Sequence, residues 1–259
     1  MRYIDVHCHI DGENYGGLDG FFARLKSVGV EKVICAGVDL QTSVYASRLA
    51  EYYEGCYFTA GIHPTELAKS ELDDLERIKE LVSHPKCVAI GEIGLDYHYP
   101  DTNKELQQEY FVRQLGIAFN ACLPVQIHSR DSAEDTLQIL KENKSLLANG
   151  GLMHCFSYSP EIAIEFGKLG LHFSFGGSST RSGNKKARRA IAALDVGRIL
   201  TETDSPYQPP ASKYGTFPNT PESIPEIAEN IAAIKGITLE EFTETVLKNA
   251  HALFKKLNN

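Results

Sequence analysis

The sequence predicts an α/β protein folded as a (β/α)8 barrel. Three observations carry this. Short apolar runs alternate with amphipathic stretches along the chain, eight such runs are present, and most of them end in polar, titratable residues. Strands alternating with helices read as βαβ units with parallel pairing. Eight units in 259 residues match the size of such a barrel. A doubly wound open sheet would usually carry a glycine-rich phosphate loop after its first strand, and HCHIDGENYGG at that position fits no such motif. The expected organisation is one barrel domain spanning residues 1–259.

The apolar runs cover residues 3–7, 32–36, 57–62, 87–93, 124–128, 152–156, 171–175 and 198–201. Each has the length of one strand and is rich in Val, Ile or Phe. Phe21, Leu25 and Val28 lie on one helical stripe, as do Leu72, Leu75, Ile78, Lys79 and Val82. Residues 133–147 and 162–169 behave similarly, and Ala187, Ala190, Ile191 and Leu194 give the apolar face of a helix after the seventh run. The tail carries Ile224, Ile227, Ile231 and Ile234, then Leu239, Phe242, Val246, Leu247 and Phe254. Gly236 separates these two helices, and Thr238 with Glu241 three residues on forms the pattern of a capping box.

Hydrophobic residues at 42% and charged residues at 23% exclude a globally disordered chain. No window approaches 18 uninterrupted apolar residues, so no membrane span is expected. The opening MRYIDVHCHID lacks the apolar stretch of a secretory signal, and a cytoplasmic location is expected. The net charge of −8 repels a polyanion at long range. A nucleic-acid partner would have to be attracted locally, by a basic patch or by metal ions that invert the field in one cleft. Cysteines 8, 35, 56, 87, 122 and 155 include no C-x-x-C pair, and several sit in apolar runs. They read as buried, reduced thiols rather than disulfides or a zinc-thiolate site.

Reactive groups in such barrels sit at the C-terminal ends of the strands. Those ends carry His7 and His9, His63, Glu92, His128, His154, and Glu202 with Asp204, while runs two and seven end in Gly37 and Gly176-Gly177. Side chains i and i+2 of a strand share a face. His7 and His9 therefore both enter the mouth and Cys8 turns to the helix layer. Two adjacent imidazoles are nitrogen ligands for a divalent cation. Paired strand histidines are more often core or surface residues. Here the further histidines and carboxylates at other strand ends reverse that balance, because core positions favour Val, Ile and Leu and burying titratable groups without partners is costly.

In order, HCHID, GIHP, GEIGLDY, IHSR, HCFS and ETDSPY resemble the successive motifs of the TatD family of metal-dependent deoxyribonucleases, within the amidohydrolase superfamily of (β/α)8 hydrolases. The resemblance runs from Tyr3 to about Phe254, and GEIGLDY and ETDSPY are its most specific parts. It implies two divalent ions (Mg, Mn or Zn), one on His7 and His9 and one on His128 and His154. Glu92 would bridge them, in the place where several superfamily relatives use a carbamylated lysine. Asp204 would complete the first site and act as base toward the attacking water. His63 would donate to a substrate phosphate oxygen, so the implied catalytic residues are Asp204, His63 and Glu92. A salt bridge or a helix cap at Asp204-Ser205-Pro206 is the competing reading of the carboxylates. Glu202, Asp96 and Asp11 are expected to orient ligands. His84 is expected to be structural at the opposite rim, and His98, His172 and His251 are assigned no role.

The implied activity is a DNA exonuclease acting on single-stranded or frayed ends. The same metals acting on a small ester, an amide or an aminoacyl-tRNA ester is the alternative, and a non-catalytic barrel, which would be expected to have lost ligands, is the third. Two features bear on substrate. Arg181, Lys185, Lys186, Arg188 and Arg189 follow the seventh run, with the lysines where the helix dipole disfavours cations. Phosphate contact and a solvated face both fit them. The loop after the eighth run departs from the family: Ser212-Lys213-Tyr214-Gly215 and Asn219-Thr220-Pro221 stand where the family has an Arg/Lys-rich segment ending in Asn-Glu-Pro. Tyr207, Tyr214 and Phe217 in this loop can stack on bases or pack the loop itself.

Overall fold

The computed structural model describes residues 1–12, 14–70 and 72–258, apart from the side chain of Leu72. Its strands are β1 (Tyr3–Cys8), β2 (Val30–Ala36), β3 (Cys56–Ala60), β4 (Cys87–Asp96), β5 (Val125–Arg130), β6 (Gly151–Met153), β7 (His172–Phe175) and β8 (Ile199–Thr201). They form one parallel sheet in sequential order, each strand paired to the next. Helices α1 (Leu18–Ser27), α2 (Leu40–Tyr52), α3 (Leu72–Leu81), α4 (Lys104–Asn120), α5 (Ala133–Glu142), α6 (Pro160–Gly167), α7 (Lys185–Ala193), α8 (Ile224–Lys235) and α9 (Leu239–Leu253) complete the barrel. A sheet covered on both faces needs strands apolar on both faces. Accordingly every residue of β1, β3 and β4 is buried.

The ring is sealed between β8 and β1 by polar groups rather than by a regular ladder. Thr201 Oγ1 donates to the Ile4 carbonyl at 3.0 Å. The Asp5 carboxylate accepts the Thr203 amide at 3.0 Å and the Thr203 hydroxyl. Nearer the mouth, Asp204 N donates to His7 O at 3.0 Å and His9 N to Ser205 O at 2.6 Å. Asp5 is fully buried, and burial pushes its carboxyl up to about 7 against these hydrogen bonds.

The structure departs from the expectations in several places. Helices α2 and α4 carry no clear apolar stripe. The buried face of α4 includes Gln107 and Gln114 beside Tyr110, Phe111 and Leu115. Gln114 holds both the amide and the carbonyl of Ile62, and Gln107 both those of Asp96, so the glutamines pin the ends of β3 and β4. Residues 133–147 divide into α5 and a 3-10 turn, Lys144–Leu147. Thr238 caps α9 by accepting from Glu241 N, but the reciprocal half of a capping box is found instead at Asp39 and Thr42, opening α2. All six cysteines are free, yet Cys122 is exposed rather than buried and Cys155 only partly covered. No helix among the described residues is long and apolar enough to cross a membrane.

Candidate metal centre

The strand ends bring His7, His9, His63, Glu92, His128, His154 and Asp204 to one point. Glu92, only 3% exposed, stands at its centre and its two oxygens face different partners. Oε2 lies 3.3 Å from His7 Nε2 and 3.6 Å from His9 Nε2. Oε1 lies 2.8 Å from both His128 Nδ1 and His154 Nε2, and 3.3 Å from His63 Nε2. Asp204 Oδ1 closes the first group, 3.5 Å from His9 Nε2 and 3.8 Å from His7 Nε2. The two halves are contiguous, since the His7 and His154 rings stack with centroids 4.0 Å apart.

The outer hydrogen bonds decide which ring nitrogens carry protons. Gln126, fully buried on β5, donates from Nε2 to Val6 O at 2.7 Å, so its Oε1, 2.8 Å from His7 Nδ1, accepts from that ring. His9 Nδ1 donates to Ala36 O at 3.2 Å, and His128 Nε2 to Asp96 Oδ2 at 3.0 Å. With the rings neutral, as binding a cation requires, their opposite nitrogens are lone pairs aimed inward. His7 Nε2 and His9 Nε2 face each other at 3.3 Å, and His128 Nδ1 faces His154 Nε2 at 3.2 Å. Acceptors converging on two carboxylates repel unless protons or a cation lie between them. This donor set of imidazoles and carboxylates suits a divalent ion. Three triads among the described residues have the spacing to hold one: His7, His9, Asp204; His63, Glu92, His128; and His7, His154, Glu202.

His63 differs from the other four histidines. Its Nδ1 accepts the Thr65 amide at 3.2 Å, so Nε2 carries the proton and points it at Glu92 Oε1. His63 is thus a donor beside the centre, with burial lowering its basicity.

Left to themselves these groups hold protons. Burial opposes a charge on His7, but Glu92, Glu202 and Asp204 raise it to about 10. Burial likewise opposes a charge on His128, yet its bonds to Asp96 and Glu92 lift it to about 9. His154 is depressed to about 4 by burial and then by His7. Glu92 lies well below the usual carboxylate range and Asp204 below it too, in both cases against burial and because of the surrounding imidazoles. Asp204 also sits at φ 53°, a region where Asp is tolerated and where backbone strain tends to accompany function. No helix starts at Asp204-Ser205-Pro206, which removes the capping reading.

Of the expected orienting acids, Asp96 touches His128 directly. Glu202 is fully buried, bonded by the Ser174 hydroxyl, with Oε2 3.8 Å from His154 Nδ1; burial pushes it up to about 8. Asp11 turns away and holds the amide and side chain of Asn14, so it orients no site histidine. His84 lies near Glu51, at 3.5 Å, and His98 pairs with Asp131 at 3.0 Å. Sequence reading missed Gln126 and Asn219. Gln126 was findable, because it lies two residues before His128 and so shares its face. Asn219 is 1% exposed; its amide donates to the carbonyls of Thr203 and Tyr207 at 3.1 and 2.9 Å and so fixes the chain on either side of Asp204.

The basic cluster splits. Arg181 donates to Pro209 O, and Arg188 to Ser179 O and Asn230 Oδ1, so both hold the fold. Lys185, Lys186 and Arg189 are exposed at and after the start of α7, on the mouth side.

A parallel eight-stranded barrel with a histidine–carboxylate cluster at the C-terminal ends of its strands defines a metal-dependent hydrolase. The family model described as "TatD related DNase" matches residues 4–255, and the chain belongs to the TatD family. It is 38% identical to the "Uncharacterized metal-dependent hydrolase YabD" of Bacillus subtilis, over 97% of this chain and 98% of that protein. It is 33% identical to the "Uncharacterized metal-dependent hydrolase YcfH" of Escherichia coli K12, over 98% and 96%. The solved structure of YJJV, a TatD homologue from Escherichia coli K12, superposes with a TM-score of 0.94 at 32% identity, covering 98% of each chain.

Proposed function

We propose that the chain hydrolyses phosphodiester bonds at the ends of single-stranded DNA, using two divalent cations. The observation that carries this reading is the division of Glu92 between two sets of inward lone pairs, His7 and His9 on one oxygen, His128 and His154 on the other. The family model's description as a DNase supports the choice of substrate. His7, His9 and Asp204 would hold one ion, His128 and His154 the other, with Glu92 shared. Cations bound there supply Lewis acidity toward a phosphoryl oxygen and acidify water.

The chain's own residues do the rest. Asp204, ionised at neutral pH, accepts the proton of the attacking water. His63 presents Nε2–H to a non-bridging or leaving oxygen. Gln126, Ala36 O and Asp96 hold His7, His9 and His128 in the required tautomers. The net charge of −8 leaves attraction of the strand to the centre itself and to Lys185, Lys186 and Arg189. A barrel mouth admits one splayed end better than a duplex.

The test is activity of chelator-stripped protein on single-stranded DNA and on a p-nitrophenyl ester panel, with Mg, Mn and Zn restored separately. Metal-dependent shortening of DNA is expected. Ester turnover with every metal tried and no cut DNA would replace this reading by a small-ester hydrolase.

A further inference from the structure

The loop between β8 and α8 leaves three aromatic side chains in solvent beside the metal centre. Tyr207 is 59% exposed, Tyr214 72% and Phe217 63%. Most of each ring's surface is thus open to solvent rather than spent on packing the loop. The loop is held from below instead, by buried Asn219 on the carbonyls of Thr203 and Tyr207 and by Ser223 on Asn219 Oδ1. Its rings are presented outward on a fixed base. Two of them stand in succession from the centre. The Tyr207 ring lies 6.4 Å from that of His9, and the Phe217 ring 6.3 Å from Tyr207 at an angle of 46°. The guanidinium of Arg181 covers one face of Tyr214 at 4.7 Å, and its buried Nε has no hydrogen-bond partner among the described residues.

Isolated exposed aromatics need no explanation, but large amphipathic rings grouped beside a reactive centre mark a surface that gains by being covered. Every base has a π-face, so aromatic rings bind single strands without regard to sequence, and a cation adds to the attraction. A lipid or an aliphatic peptide would call for a wider apolar patch. The ring nearest the centre, Tyr207, is edge-on to His9, and the exposed cations Lys185, Lys186 and Arg189 lie on the same side of the barrel. A chain of alternating bases and phosphates meets both features.

We propose that Tyr207 and Phe217, with the Tyr214–Arg181 pair contributing a further ring and a cation, form a stacking platform for the bases next to the scissile phosphate of a single-stranded DNA end. The proposal rests on the nuclease reading above and adds how the strand is gripped. Because the loop is preformed, little ordering cost is incurred on binding.

The test compares an oligothymidylate with a strand of equal length whose terminal residues are abasic, so that the phosphates are the same and the stacking faces are gone. kcat/KM is measured for the wild type, for a Tyr207→Ala, Phe217→Ala protein, and for a Tyr207→Phe, Phe217→Tyr protein. Wild type should favour the base-bearing strand by about 5- to 150-fold per stacked base. The double-alanine protein should lose that preference, and the ring-conserving protein should keep it. A wild type that cuts both strands equally, or a preference that survives in the double-alanine protein, overturns the platform while leaving the nuclease reading intact. Failure of the wild type to cut either strand with Mg, Mn or Zn, alongside ester turnover, overturns both.

Discussion

Replacing Asn219 by alanine tests whether the chain around Asp204 is held where the proposed chemistry needs it. The side chain is 1% exposed and makes three good hydrogen bonds: to Thr203 O at 3.1 Å, to Tyr207 O at 2.9 Å, and from Ser223 Oγ at 2.9 Å. Truncation leaves two carbonyls without this donor. Thr203 is fully buried, so its carbonyl bears the whole penalty of an unmade bond, ~1–3 kcal/mol. Tyr207 lies at the surface, where water replaces part of the loss. Ser223 loses the acceptor of its hydroxyl proton, because its other neighbour, Lys213 Nζ at 3.2 Å, is itself a donor. The sum is about 2–4 kcal/mol. At roughly 2–4 °C per kcal/mol for a chain of this size, the melting temperature should fall by about 4–16 °C. Urea unfolding should show a lower midpoint at unchanged slope. Asn219→Asp keeps the shape and the acceptor but loses both donors, so it should fall nearly as far. Freed on both sides, Asp204 should also lose its aim, lowering kcat at least tenfold at temperatures where the variant is folded. A melting temperature within about 1 °C of wild type, or an Asn219→Asp protein as stable as the parent, would refute the reasoning.

Three other perturbations separate the roles assigned above. Asp204→Asn should retain the fold and most of the metal but slow single-turnover hydrolysis by ~10²–10⁴-fold, the usual contribution of a general base; near-normal turnover with metal bound would pass the role to Glu202 or His63. Lys185→Ala with Lys186→Ala should weaken DNA binding and reduce its salt dependence by ~0.7 in slope for each lost contact to a single strand, whereas an unchanged slope would make these lysines a solvated face. His172, away from the centre, is held down to about 4 by burial and by Arg198. Its neutral form is the one the fold favours, so its contribution is complete above the ordinary value of 6.5, declines as pH falls below that, and stops declining near 4. His172→Phe should flatten the drop in urea midpoint between pH 7 and pH 5, and an identical pH profile would show that another group titrates.

The barrel and the convergence of the site histidines were legible because both follow from local rules. Alternation of apolar and amphipathic segments gives βαβ units, and the position after each strand gives the mouth. The i, i+2 rule correctly sent His7 and His9 inward together. What the sequence hid are partners far apart in the chain. The buried glutamines of α4 broke its apolar stripe because they serve β3 and β4 rather than the helix itself. The exception is His63, whose distinction from the other histidines rests on an amide hydrogen bond from Thr65 only two residues on, a turn conformation that residue spacing does not reveal. Asn219 looked like an ordinary loop residue because the carbonyls it holds lie 12 and 16 residues away.

The seam between β8 and β1 joins the two ends of the ring with a handful of polar contacts, and the centre straddles it, with His7 on one side and Asp204 on the other. During synthesis the first histidines emerge roughly 200 residues before the aspartate that faces them. Contacts so distant in sequence form late, since a long loop must close before they are rewarded. A nascent chain therefore has no working centre until its last strand docks. Any ligand that draws on both sides binds the finished ring and not its precursors, and by mass action it acts as a latch on the seam. Hydrogen exchange at the Asp204 and His9 amides, which cross the seam, would report how often that latch opens.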